Sequence, residues 1–237
     1  MLENKKYDFL IVGAGIIGLT IAYELMKRNS KLKIVIIEKE DDVAKHASGR
    51  NSGVLHAGFY YTENSLKAML TKLGNKKMKE FCYNNNIKVN ETEKIVVAQN
   101  KEELKTIDEL FRRAKKNGVD VSIISSEDVQ KIDPNIKTYK KALYSPSTAS
   151  VDPKQVCYKL KENLIDKGVD FKFNYGFDSI DFEYHHLINC AGLYADKIAK
   201  QFGLAKDYTI LPFRGAYLKY NGPEKIINRN VYPVPNL

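Results

Sequence analysis

Apolar residues along the chain fall into short unbroken runs separated by stretches of helical period. Tyr7 to Val12 reads as a buried strand, and Ile17, Ile21 and Leu25 then recur at helical spacing through Arg28. Ile34 to Ile37 is a continuous aliphatic run, the pattern of a parallel strand covered on both faces. Residues 1–38 therefore predict a βαβ unit.

From Asp41 to Thr62 the chain is rich in Gly, Ser, Asn and His and has no period, which predicts an ordered loop long enough to call for a functional explanation. Leu66, Met69, Leu70, Leu73 and Phe81 mark a helix with a lysine-rich outer face. Ile95 to Ala98 predicts a strand, and Leu104, Ile107, Phe111 and Ala114 a helix stopped at Gly118. Asp152 and Pro153 form an N-cap and first-turn pair for a helix with Val156, Leu160 and Leu164 that ends at Gly168. Strands around Val169 to Phe173 and Leu187 to Cys190, a helix from Leu193 to Phe202, and strand-like character from Tyr208 to Tyr220 complete the pattern. This alternation predicts an α/β fold in which a nucleotide-binding domain (1–90 and 151–205) is interrupted by a second lobe (91–150 and 206–237).

Composition narrows the class. The 237 residues are 43% hydrophobic and 28% charged, an ordinary globular balance. The formal charge of +9 comes from lysines spread along the chain, so no nucleic-acid partner is expected. Attraction of a small anionic substrate, or peripheral contact with an acidic membrane, stays open. Cys82, Cys157 and Cys190 are widely spaced, which suggests neither disulfides nor a metal site, and the expected location is cytoplasmic, at most peripheral on an inner membrane. The apolar run from Phe9 to Ala22 follows Lys5 and Lys6 as a signal-peptide core would, but it holds three glycines and is too short to span a bilayer.

The chemistry sits where the first strand meets its helix. Gly13, Gly15 and Gly18 form G-x-G-x-x-G: the first permits a tight turn, the second lets the backbone approach a pyrophosphate, and the third lets helix and strand pack closely. The free amides and positive dipole end near Ile16 and Ile17 would face that pyrophosphate. Glu38 and then Lys39 follow the second strand, and a carboxylate there accepts hydrogen bonds from ribose hydroxyls. NAD and FAD share this fingerprint. The segment from Ser48 through Arg50, Asn51, Ser52 and Gly53 to His56 favours the longer cofactor, because small residues, backbone amides and the Asn51 and Ser52 side chains suit a ribityl-pyrophosphate chain. The plainer alternative for this segment is a glycine-rich surface loop.

The stretches GAGIIGLTIAYEL, GRNSGVLHAGFYYTENSLKA, LINCAGLYADKIA, PFRGAYLK and YPVPN run in order along nearly the whole chain. In them the sequence resembles the FAD-dependent oxidoreductases of the D-amino-acid oxidase and glycerol-3-phosphate dehydrogenase type, with the nearest likeness to the L-2-hydroxyglutarate oxidase group. The resemblance implies a Rossmann-like FAD-binding domain with an interrupting mixed-sheet substrate lobe. It also implies that Ala191 and Gly192 pass close to the cofactor, that Phe177 contacts adenine, and that a flavin takes hydride from a carbinol carbon. His56 is the candidate base, with support of the flavin as the alternative. Arg214 would grip a substrate carboxylate or serve as a strut, and Tyr61 would help enclose the site. Relatives continue beyond the position of Leu237 and carry a longer hairpin between Ile180 and Leu187, so the substrate lobe is expected to be truncated, its remainder lying on a longer chain or on a second polypeptide.

Overall fold

The computed structural model describes residues 6–224 and 226–235; the readings at Lys5, Asn236 and Leu237 lie outside the described residues. Strand β1 (Lys6–Val12), helix α1 (Ile16–Arg28) and strand β2 (Ile34–Ile37) open the chain. There follow β3 (Val54–Leu55), α2 (Leu66–Asn84), β4 (Lys94–Val97), α3 (Glu103–Lys116), β5 (Ser122–Ser125), α4 (Ser126–Ile132), β6 (Lys141–Ser145) and β7 (Ala149–Ser150). The chain then runs through α5 (Pro153–Ile165), β8 (Asp170–Lys172), β9 (Glu183–Asn189), α6 (Ala195–Gln201) and β10 (Asn230–Pro233). It divides into two compact units, Met1–Ser52 with Asp152–Tyr217, and Gly53–Val151 with Leu218–Leu237.

The first unit is a fully parallel sheet in the order β8-β2-β1-β9. All four residues of β2 are buried, as the unbroken aliphatic run requires. Strand alternation sends Leu10, Val12, Val35 and Ile37 to the face that holds Ile198 of α6. On α1, Leu19, Ala22 and Met26 are buried, and this helix packs beside α5. Asp152 Oδ1 caps α5 by accepting the amides of Lys154 (2.8 Å) and Gln155 (3.3 Å), and Val156, Leu160 and Leu164 are buried, as their spacing predicts.

The second unit is a mixed sheet, β10-β4-β6-β5, with β10 parallel to β4 and the other pairs antiparallel. Ile107, Leu110 and Ala114 of α3 cover one face together with Phe59 and Val96, whereas Ile95 and Val97 meet Val129 of α4 on the other. The α/β architecture is therefore the expected one, a Rossmann-like parallel sheet with an interrupting mixed-sheet lobe.

Several boundaries are corrected. The first domain part ends at residue 52, not 90, because β3 pairs with β7, and Asn75 of α2 donates to the carbonyls of Leu55 (2.8 Å) and Ser147 (3.2 Å). The last lobe part begins at 218, not 206, since Ile210 N–H donates to Asp196 Oδ2 at 3.2 Å beside α6. The loop from Asp41 to Thr62 contains a 3-10 turn, Ala47–Gly49, and the short strand β3. Tyr208 to Tyr220 forms no strand: it is exposed along its length, and no strand among the described residues lies beside it to take its backbone groups. The apolar stripe of α2 is likewise not buried, with Leu66 71%, Met69 56% and Leu70 58% exposed. Among the described residues, no helix is long and apolar enough to cross a membrane.

Candidate functional site

The turn from β1 into α1 is built around missing side chains. Gly13 has φ +104°, and a Cβ there would stand 2.5 Å from the Cys190 carbonyl oxygen; one on Gly18 would stand 2.1 Å from the Gly13 oxygen. Gly15 differs, since its Cβ would approach only Ser48 Oγ, at 3.0 Å. Two glycines thus serve backbone packing, while the third keeps an open face.

Glu38 is fixed by its own chain: Oε2 accepts the Ala14 amide at 2.9 Å and Oε1 the Glu40 amide at 3.0 Å. A carboxylate has about four acceptor sites, so lone pairs remain for ribose hydroxyls. The Ile16 amide is not free as expected, because Ser48 Oγ accepts it at 2.9 Å and acts as a cap from across the loop. Among the described residues no acceptor takes the Ile17 N–H, which leaves the helix end open to an anion there. The Asn51 side chain is also committed, donating to the carbonyls of Ala47 (3.0 Å) and Ser48 (2.9 Å) and so bracing the 3-10 turn.

Gly13, Gly15, Ile16, Ile17, Glu38, Lys39, Ser48, Asn51, Phe177, Ala191 and Gly192 line one cavity of about 650 Å³ in the first unit. Sequence reasoning missed Cys190, Tyr194 and Lys197 on its wall, although they lie in or beside the quoted LINCAGLYADKIA stretch. Lys39 Nζ stands 4.0 Å from the Tyr194 ring centroid. Gly18 lies behind the wall in a packing role, and Arg50 and Ser52 are exposed. Gly53 belongs to the second unit, where its carbonyl accepts the Val151 amide at 2.9 Å. A bare glycine face, an open helix-end amide, an oriented carboxylate and an aromatic wall fit the adenosine-diphosphate half of a dinucleotide.

His56 lies in the second unit, half-buried, 6.4 Å from the Tyr60 ring and 6.3 Å from the Tyr232 ring, centroid to centroid. Its Nδ1 is 3.1 Å from Nζ of Lys94, a lysine with 0% exposure. Burial, and then the Lys94 charge, hold the imidazole down to about pKa 4, and burial brings Lys94 down to about 8. The Tyr60 hydroxyl is buried without a partner among the described residues, and burial pushes its pKa up. Tyr61 is not part of this group: Lys67 Nζ lies 4.6 Å from its ring centroid, and its carbonyl accepts from Asn117 at 3.1 Å. Arg214 is exposed in the first unit, with no hydrogen bond or ion pair among the described residues. Lys94 and Tyr60 escaped sequence reasoning; the one available signal was a lysine flush against the run Ile95–Val97.

The glycine turn, the carboxylate after β2 and the parallel sheet define a dinucleotide-binding protein of the Rossmann type. Its membership is more particular. The family model for FAD dependent oxidoreductases (DAO) matches residues 8–237, and the chain belongs to that family, which assigns FAD where the glycines alone left NAD open. It is 40% identical over 258 residues to the mitochondrial L-2-hydroxyglutarate dehydrogenase of Caenorhabditis briggsae, covering 99% of this chain and 59% of that protein. It is 33% identical over 247 residues to the L-2-hydroxyglutarate dehydrogenase of Escherichia coli strain K12, covering 97% of this chain and 58% of that protein. The chain thus spans about three-fifths of the length of these curated relatives. Among solved structures it resembles the L-alpha-glycerophosphate oxidase of Mycoplasma pneumoniae with FAD bound, at TM-score 0.81 and 25% identity, covering 98% of this chain and 66% of that one.

Proposed function

We propose that this chain carries the cofactor-holding and proton-handling part of an oxidoreductase that oxidises the carbinol of a small 2-hydroxy acid, L-2-hydroxyglutarate, to the ketone of 2-oxoglutarate. The observation that carries the reading is the placement of His56, a half-buried imidazole whose Nδ1 stands 3.1 Å from the buried Lys94 amine, so that a proton taken at one ring nitrogen can be relayed from the other. The names of the relatives at 33 to 40% identity support the substrate.

Bound flavin supplies the hydride acceptor for the carbon that carries the hydroxyl. The chain's residues do the rest of the work in this reading. The open face of Gly15 and the Ile17 amide hold the pyrophosphate, Glu38 holds the ribose, and Phe177, Ala191 and Gly192 flank the cofactor. His56 takes the hydroxyl proton and Arg214 binds a substrate carboxylate. The activity is assigned to the whole protein, since the chain spans about three-fifths of the length of these relatives.

Dye-linked turnover by the FAD-loaded protein tests the reading. L-2-hydroxyglutarate is expected to be oxidised in preference to L-glycerol 3-phosphate and to amino acids. Turnover of glycerol 3-phosphate alone would replace the substrate, in line with the glycerophosphate oxidase likeness.

A further inference from the structure

Lys94 is a cation that the proposed reaction leaves unused. Strand alternation sends Ile95 and Val97 toward α4 and Lys94 to the opposite face, where no solvent reaches it. The titratable groups facing it are His56 and Tyr60 from the segment after β3, and Tyr232 from β10. From β6 it is paired in the ladder with Ser145, whose hydroxyl is occupied by Thr148 at 3.1 Å. The adjacent carboxylate, Glu93, is paired with Arg229 at 2.8 Å. Ring faces at 4.1 Å (Tyr232) and 5.1 Å (Tyr60) ease the burial of a positive charge but accept no ordinary hydrogen bond. Among the described residues, the hydrogen-bonding partner of Lys94 is therefore the His56 nitrogen.

A nitrogen–nitrogen contact of 3.1 Å holds one proton in one of two ways. An ammonium donates to a bare Nδ1, which leaves the proton of the neutral imidazole on Nε2. A neutral amine keeps two N–H donors but is the stronger base of the pair and so the better acceptor; Nδ1–H then donates to its lone pair, which leaves Nε2 bare. We infer that Lys94 is a positioning residue that sets the tautomer of His56: charged, it makes Nε2 a donor, and neutral, it makes Nε2 a base. In the second state a hydroxyl proton passes to Nε2 while the Nδ1 proton passes to the lysine amine. The imidazole stays neutral throughout, and the positive charge ends on Lys94. This agrees with the direction of both shifts, since an isolated imidazolium is disfavoured here and the amine is accessible near pH 8. The catalytic consequence rests on the reading of His56 as the base, whereas the coupling itself stands on the contact.

With four histidines in the chain, 15N-histidine NMR of the ligand-free protein, assigned with His56→Gln, reads the tautomer directly. The Nε2–H form is expected below about pH 8 and the Nδ1–H form above it. Lys94→Met should abolish the crossing, and Lys94→Arg, whose guanidinium stays charged, should hold the Nε2–H form at every pH. A tautomer that does not change between pH 6 and 10 in the unsubstituted protein, or the same crossing in Lys94→Met, overturns the inference. The unsubstituted measurement decides even if a variant does not fold. The second readout is kcat/KM, expected to rise about tenfold per pH unit up to about pH 8 and to fall by at least about 100-fold, without that slope, in Lys94→Arg. A tautomer crossing without turnover of the hydroxy acid would remove the proposed function and leave the coupling intact; turnover without the crossing would do the reverse.

Discussion

At the scale of single residues, the pair of His56 and Lys94 contributes a defined pH dependence to stability. Both are bases whose folded-state pKa lies below the usual value, so the unfolded chain binds protons more tightly than the folded one. Stability linked to His56 is full above about pH 6.5 and is lost as pH falls toward about 4. For Lys94 it is full only above about pH 10.5, falls between there and about 8, and stays low below. Lys94→Met should therefore stabilise the protein at pH 7 by on the order of 2 kcal/mol, because it removes a buried charge that has no carboxylate partner among the described residues. That gain should shrink toward zero near pH 10.5 in urea denaturation compared across pH. A Met variant less stable than the parent at pH 7 would mean that the ring contacts at Tyr60 and Tyr232 more than offset the burial of the charge.

At the scale of elements, the β1–α1 turn separates two kinds of glycine. Gly18→Ala should cost about 2 kcal/mol or more, since its Cβ would overlap a backbone oxygen at 2.1 Å that cannot move without distorting the turn. Gly15→Ala should change stability by less than about 1 kcal/mol, yet weaken FAD binding by about tenfold or more by intruding on the face left for the pyrophosphate. Denaturation and flavin-fluorescence titration of the two variants check the contrast. The turn was legible in the sequence because strand, glycines, helix and Glu38 are spaced by local geometry. The commitment of the Ile16 amide to Ser48 was not, since it joins residues 32 positions apart. Strand-like composition from Tyr208 to Tyr220 misled for a related reason: a strand exists only beside a partner, and composition does not name one. The apolar stripe of α2 shows the same limit, for its period predicts a helix correctly but does not say what covers Leu66 or Met69.

At the scale of the whole molecule, the cavity of the first unit should couple cofactor binding to folding. FAD at a hundred times its dissociation constant is expected to stabilise the protein by about 2.7 kcal/mol, whereas NAD should leave the thermal transition where it is. Equal protection by both cofactors would detach the cavity from the flavin and leave only a generic dinucleotide site.

The sequence by itself determined the βαβ unit, the glycine turn with its carboxylate, the capped helix α5 and the membership in a flavoprotein family. The first three rest on spacings within a few tens of residues, where helix and strand periods dictate which side chains share a face, and the family membership rests on stretches that resemble it in order along nearly the whole chain. Only the tertiary structure decided which unit residues 53–90 join, and that Lys94 meets His56 and Tyr232. Those partners lie 38 and 138 positions away along the chain: the register of β4 with β10 puts Tyr232 on the face of Lys94, and the segment after β3 brings His56 to it.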